Sequence, residues 1–168
     1  RMAETLKMLH REFPLCQMIF NYAPGKEEEN AREIWQMLGA DKDIHMDIQA
    51  KSPRQLAAMA SLSTFYFGNE GGARHIVHAM QRPSFVICSP IASKRTWLPE
   101  DDEIPTEGIS PADIIDAASL RDMDAAARYD AITVDIVYPR LLTFFKKLGI
   151  EFRILPCIFV VREPATIF

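Results

Sequence analysis

Glu70, Gly71, Gly72 and His75 crowd the junction between an aromatic stretch, Phe65-Tyr66-Phe67-Gly68-Asn69, and a helical pattern running through Ile76, Val77 and Met80. Gly71 and Gly72 let a backbone approach a ligand with no Cβ in the way. The free N–H groups of the helix that follows favour an anion such as a diphosphate. A carboxylate beside them, Glu70, suits sugar hydroxyls. His75 and His78 stand three residues apart on that helix, a spacing two metal ligands can use, yet no neighbouring cysteine or carboxylate pattern completes a zinc site. A glycine pair after a strand also serves close packing of helix on sheet, so the turn alone does not decide between structure and binding.

Such a turn needs a strand to enter it and a helix to leave it, and the flanking residues predict both. Met2, Leu6, Leu9 and Phe13 recur at helical spacing before Pro14, and Cys16 to Phe20 reads as a buried strand. Ala23-Pro24-Gly25 breaks the chain. Glu27, Glu28 and Glu29 then place negative charge in the first turn of a helix whose apolar face is Ile34, Trp35 and Leu38. Asp43 to Met46 predicts a short strand. Ser52-Pro53-Arg54-Gln55 supplies an N-cap, a proline at the first helical position and a glutamine at the third, with Leu56, Met59 and Ala60 facing inward. Strand 63–67, helix 71–81 and strand 84–88 continue an alternation that predicts an α/β fold, a mostly parallel sheet with helices on both faces. Ligands of such sheets sit at the strands' carboxyl ends.

Residues 89–103 read as a long functional loop containing Ser89, Pro90, Lys94 and Trp97 and ending in the solvated acidic run Glu100 to Glu103. Helices are predicted over 111–120, over 123–129 and from a Thr133 cap to Leu148, the last kinked or broken at Pro139 and packed through Leu141, Phe144, Phe145 and Leu148. The tail from Phe152 to Val161 is apolar and β-prone, a late sheet strand or a segment docking elsewhere. No internal repeat is present.

The 168 residues suffice for one domain or a large half of a two-domain enzyme, and 48% apolar composition is ample for a core. With 19 basic against 23 acidic residues and a net charge of -4, no field draws the chain to nucleic acid. Cys16, Cys88 and Cys157 lie in apolar runs at unpatterned spacing, which predicts buried thiols in a reducing cytoplasm. No apolar stretch approaches the roughly 20 residues that cross a bilayer.

Phe67-Gly68-Asn69-Glu70-Gly71-Gly72-Ala73-Arg74-His75, with Ala79, resembles the donor-site signature of glycosyltransferase family 9, the lipopolysaccharide heptosyltransferases. Ser52 to Met59 looks like the helix before that signature, and Arg82 to Pro90 like the strand and proline loop after it, so the similarity covers roughly residues 1–150. The resemblance implies the carboxyl-terminal, Rossmann-like half of a GT-B enzyme that binds a nucleotide-activated sugar, typically ADP-heptose.

Carried over by position, Glu70 holds the donor sugar, the Gly71-Gly72 turn meets the diphosphate, His75 is the signature histidine, and Asn69 belongs with them among the donor-binding residues. Ser89 and Lys94 fall in the loop over the donor, where Lys94 would counter phosphate charge. Glutamate stands at 70 in place of the commoner aspartate, and Ala73-Arg74 in place of the frequent Pro-Met. The family's catalytic base lies in its amino-terminal half, and its first strand and a basic phosphate contact would precede Arg1. No catalytic residue is therefore expected in this chain, which reads as a piece inactive alone. No metal or other cofactor is expected, and Asp122-Met123-Asp124 reads as a helical surface triplet despite its likeness to a metal-binding DxD. The implied partners are a nucleotide sugar, ADP-linked by resemblance, and a lipid-linked saccharide acceptor met through the other half. The implied setting is cytoplasmic, peripheral to the inner membrane at most. Two rival readings are a non-catalytic nucleotide-sugar-binding module and a sugar-nucleotide epimerase fragment of the same architecture.

Overall fold

A computed structural model describes residues 1–98 and 103–149 and the backbone of 156–160. Among these residues the chain runs through α1 (Met2–Glu12), β1 (Gln17–Asn21), α2 (Lys26–Met37), β2 (Ile44–His45), α3 (Pro53–Leu62), β3 (Tyr66–Asn69), α4 (Gly72–Ala79), β4 (Ser84–Ile87), α5 (Lys94–Trp97) and β5 (Thr106–Ile109). A 3-10 turn (Pro111–Asp113) follows, then α6 (Ala117–Asp122), α7 (Ala125–Asp130), α8 (Val134–Lys147) and β6 (Pro156–Val160). The strands form one sheet in the order β2-β1-β6-β3-β4-β5, every neighbouring pair parallel. The α/β fold expected from the alternation, Rossmann-like as the resemblance implies, is what the chain adopts.

The two-residue period of a strand sorts the core into two layers. Phe65, Phe67, Phe85 and Ile87 enter one cluster with Leu6 and Leu9 of α1, Ala31 of α2 and Leu141, Phe144 and Phe145 of α8. Tyr66, Val86 and Cys88, one residue out of phase, enter the other with Ala60 of α3, Val77 of α4 and Leu98. Helices therefore cover both faces, which is why β3 and β4 are buried throughout. Phe65 meets Phe145 edge to face at 4.6 Å between centroids, and each such fully buried aromatic stabilises the fold by about 1.5–3 kcal/mol.

Local chemistry explains the boundaries. The Ser52 hydroxyl accepts from the Gln55 N–H at 3.3 Å, and Gln55 reaches back to the N–H of Lys51, one residue before the cap, at 2.7 Å. Arg32 pairs with Glu28 one turn earlier at 2.7 Å on the solvated side of α2. Ser63 closes α3 by donating to Ala60 through both its amide and its hydroxyl, so β3 begins at Tyr66 and extends to Asn69, later than the strand predicted over 63–67. The helix predicted over 111–120 is two elements, because Asp116 turns its carboxylate onto the N–H groups of Ala118 and Ser119 and starts α6 afresh. Pro139 neither breaks nor splits α8. It lies on the exposed side of the helix. Thr133 precedes α8 without a side-chain cap bond.

Three elements carried no clear local signal. α5 forms within the loop read over 89–103, and β5 pairs with β4 over Ser84 to Ile87. β6, from the tail that local pattern alone could not place, lies between β1 and β3. The acidic residues 100–102 and the Cys157 side chain lie outside what is described, whereas Cys16 and Cys88 are buried. No helix among the described residues is long and apolar enough to cross a membrane.

Candidate functional site

Because every strand points the same way, Asn21, Asn69, Ile87 and Ile109 end on one rim of the sheet. Strands after β1 step outward to one side and strands after β3 to the other, and the rim between them is the switch point of a doubly wound sheet. The Gly71 turn stands there.

Tyr66 shapes that turn from below. Its buried hydroxyl donates to the carbonyl of Asn69 at 2.8 Å, fixing the last peptide of β3. The Glu70 N–H reaches the Ile87 carbonyl at 3.3 Å, and the Glu70 carboxylate accepts from the N–H of Ser89 at 2.5 Å. One carboxylate thus ties the loop after β3 to the loop after β4. Gly71 then takes φ 146 and ψ -172, a conformation essentially reserved for glycine. It precedes α4 with no side-chain cap, so the first-turn N–H groups of α4 have no side-chain acceptor from that position. A Cβ built on Gly72 meets nothing within 4 Å, so the helix start is open to approach.

A cleft of about 760 Å³ lies beside the turn, lined by Asn21 to Pro24, Glu27, Glu28, Gln49 to Lys51, Gly72 and Ala73. Its wall is built by side chains clasping backbone. Asn21 accepts from the Ala50 N–H at 2.9 Å, Gln49 donates to the Phe20 carbonyl at 2.5 Å, and Tyr22 donates to the Met46 carbonyl at 3.1 Å. A smaller cavity of about 180 Å³ lies under Tyr129 between α1, α8 and the sheet. Of the two, the larger cleft is the one that meets the glycine turn. Burial pushes the Tyr129 hydroxyl's pKa up, against the charge of Arg1 and a hydrogen bond with Asn69 that pull it down.

The residues singled out from sequence separate into groups. Asn69, Glu70, Gly71, Gly72 and Ser89 come together at the rim. His75 turns away from the cleft lining onto Trp97, ring centroids 5.4 Å apart, and the Trp97 ring itself packs against the α3/α4 core. Lys94 donates to Asp113 at 2.6 Å and to the Gly108 carbonyl at 3.4 Å, joining α5 to the 3-10 turn. Burial raises the Asp113 pKa, but hydrogen bonds from Lys94 and Ser110 outweigh it and leave that pKa below its ordinary value. Burial, and next the charge of Glu70, push the Cys88 thiol up to about 12, so a protonated, inert sulfur sits beneath the turn. Asp122 closes α6 while Asp124 caps α7 by accepting from Ala127 at 2.7 Å, so the triplet is a joint between helices rather than part of one.

Sequence reasoning named Arg74 only as a departure from the family signature; it is 1% exposed beneath α4 with its guanidinium 3.3 Å from Thr106 and 3.4 Å from the His78 ring. Sequence reasoning passed over Asn21, Gln49 and Lys51. Asn21 carried the one available signal, a polar residue closing an apolar strand just before Pro24-Gly25.

The chain is 30% identical over 96 residues to lipopolysaccharide heptosyltransferase 1 of Campylobacter coli, a match that takes in 56% of this chain and 28% of the relative. The chain thus spans less than a third of the length of the curated relative it matches. That likeness suggests a relationship to the glycosyltransferases. No family model matches the chain, and no solved structure matches it.

Proposed function

We propose that this chain binds the nucleotide-sugar donor of a heptosyltransferase-like glycosyltransferase, an ADP-linked sugar destined for a lipopolysaccharide core acceptor on the cytoplasmic side of the membrane. The observation that carries the reading is the Gly71 turn at the switch point, with Glu70 at its head and a cleft of about 760 Å³ beside it. The heptosyltransferase likeness supports it.

The reaction is displacement at the anomeric carbon. The acceptor hydroxyl oxygen forms the new bond, the bond to the diphosphate breaks with inversion, and the diphosphate leaves with the electron pair. A base from the other half takes the acceptor's proton. The present chain's part is to receive the departing charge and aim the sugar. Backbone N–H groups in the first turn of α4, at the positive end of a helix dipole worth roughly half a charge, receive the diphosphate. Glu70 accepts from the sugar hydroxyls and so fixes the face open to attack.

Titration calorimetry with ADP, an ADP-linked hexose or heptose, and a UDP-sugar tests this. Binding of ADP and tighter binding of its sugar conjugate are expected, and no heat with any of them refutes the reading. Chromatography of the nucleotide sugar after incubation separates transfer, which needs the other half, from epimerisation, which would change the sugar without an acceptor.

A further inference from the structure

A departing diphosphate carries charge that backbone N–H groups share without neutralising, and a cation within reach lowers its energy further. The resemblance offered Lys94 for that task, yet its ammonium is held by Asp113 at 2.6 Å and lies outside the cleft lining. Arg74, in the first turn of α4, is buried with its guanidinium on Thr106 and His78. Arg32 is held by Glu28. We propose that Lys51 is the cation that meets the diphosphate, standing at the cleft beside the start of α4 on a backbone fixed in place.

Lys51 lines the cleft together with Gly72 and Ala73, and among the described residues it is the one basic side chain that does so. Its ammonium makes no ion pair or hydrogen bond among those residues. Two carboxylates also line the cleft, and both are engaged. Glu28 is paired with Arg32 at 2.7 Å, and Glu27 accepts from the Ala23 N–H at 2.9 Å. The Lys51 charge is thus left without a counter-charge from the wall, and an incoming anion supplies it.

The segment that carries Lys51 is tied down on both sides. Gln49 donates to the carbonyls of Phe20 at 2.5 Å and Met46 at 3.2 Å, the Ala50 N–H donates to Asn21 at 2.9 Å, and the Lys51 N–H donates to Gln55 at 2.7 Å. The Lys51 backbone is therefore fixed between the end of β1 and the first turn of α3, and freedom is left to the side chain alone. Since α3 and α4 pack together, the entry of α3 and the Gly72 end of α4 open onto one cleft. A compact ammonium on a flexible four-carbon stem can follow a phosphate oxygen as charge builds on it. That the anion is a diphosphate rests on the nucleotide-sugar reading, whereas the anion site itself does not.

Titration calorimetry of the full chain with ADP and with inorganic pyrophosphate, each at low and high salt, tests the proposal. Lys51→Met is expected to weaken both by about tenfold or more and to flatten their salt dependence, with the melting temperature unchanged because the side chain is exposed. Lys51→Arg should recover most of the loss. Arg54→Met, which removes an exposed charge three residues along and outside the cleft lining, should weaken neither by more than about twofold. Wild-type affinity for both anions in Lys51→Met overturns the proposal, and so does an equal loss in Arg54→Met, which would mean a diffuse field in place of a contact. A loss that Lys51→Arg fails to reduce overturns it too. ADP bound as tightly without Lys51 as with it removes the Lys51 assignment and leaves the nucleotide reading, whereas pyrophosphate held through Lys51 with no binding of ADP removes the nucleotide reading and leaves the anion site. An unmodified chain that binds neither removes both.

Discussion

Replacing Glu70 separates its two duties, because the structure shows one of them directly. The Glu70 carboxylate accepts from the Ser89 N–H at 2.5 Å across the two rim loops. A hydrogen bond to a charged acceptor contributes about 1.5–3 kcal/mol, and Glu70→Ala loses all of it. For a chain of this length each kcal/mol moves the melting temperature by about 2–4 °C, so Glu70→Ala should melt roughly 3–12 °C early. Glu70→Gln keeps an oxygen that accepts from Ser89, retains about 0.5–1.5 kcal/mol, and should fall well inside that range. The sugar is a different matter. Hydroxyls donating to the carboxylate contribute another 1.5–3 kcal/mol or so in the donor complex, so Glu70→Gln should weaken an ADP-sugar by up to about a hundredfold and ADP itself by much less. Paired calorimetric titrations of ADP and ADP-sugar against wild type, Glu70→Gln and Glu70→Ala read both quantities. Equal loss for the two ligands in Glu70→Gln, where the loop tie persists, would refute the assignment of Glu70 to the sugar.

Gly72→Ala should leave the melting temperature unchanged or slightly raised, because its Cβ meets nothing within 4 Å at a helix start, yet weaken ADP by at least about tenfold by blocking the approach to the α4 amides. Gly108→Ala should do the reverse. Its Cβ would lie 2.5 Å from Leu98 Cδ1 and 2.9 Å from the Val86 carbonyl oxygen, and since the strand carbonyl cannot yield as a side chain can, a loss of about 1–3 kcal/mol is expected in urea melts. Asp113 gives a pH signature. A carboxyl held below its ordinary 3.8 stabilises the fold above that pH and loses the contribution as pH falls through the folded value. Lys94→Met should therefore be less stable than wild type at neutral pH, with the gap closing below about pH 4. A gap constant to lower pH would show that the Lys94–Asp113 pair does not hold the carboxyl down.

Elements whose causes are local were legible. α3 was readable because Ser52, Pro53 and Gln55 act on groups within four residues of themselves, and α2 because its charge and apolar stripe follow helical spacing. The Gly71 turn was readable for a similar reason, since φ 146 asks for glycine whatever surrounds it. β5 was not, because Thr106-Glu107-Gly108-Ile109 has little strand pattern of its own and exists by pairing with β4, where Gly108 leaves room for Leu98. His75 and Lys94 could be singled out by resemblance, but their contacts with Trp97 and Asp113 depend on where α5 folds.

The order of residues by itself determined that this would be an α/β chain with a glycine turn built for close approach, because periodicity, caps and backbone permissiveness act over a few neighbours. It marked the tail as apolar and β-prone for the same reason, with nothing local to name its partners. Only the tertiary structure decided that β6 lies between β1 and β3, that Glu70 binds the loop after β4, and that Asn21 and Gly72 share a cleft. Those are pairings across large sequence separations, selected by which edges and faces remain to be satisfied once the rest of the sheet has formed.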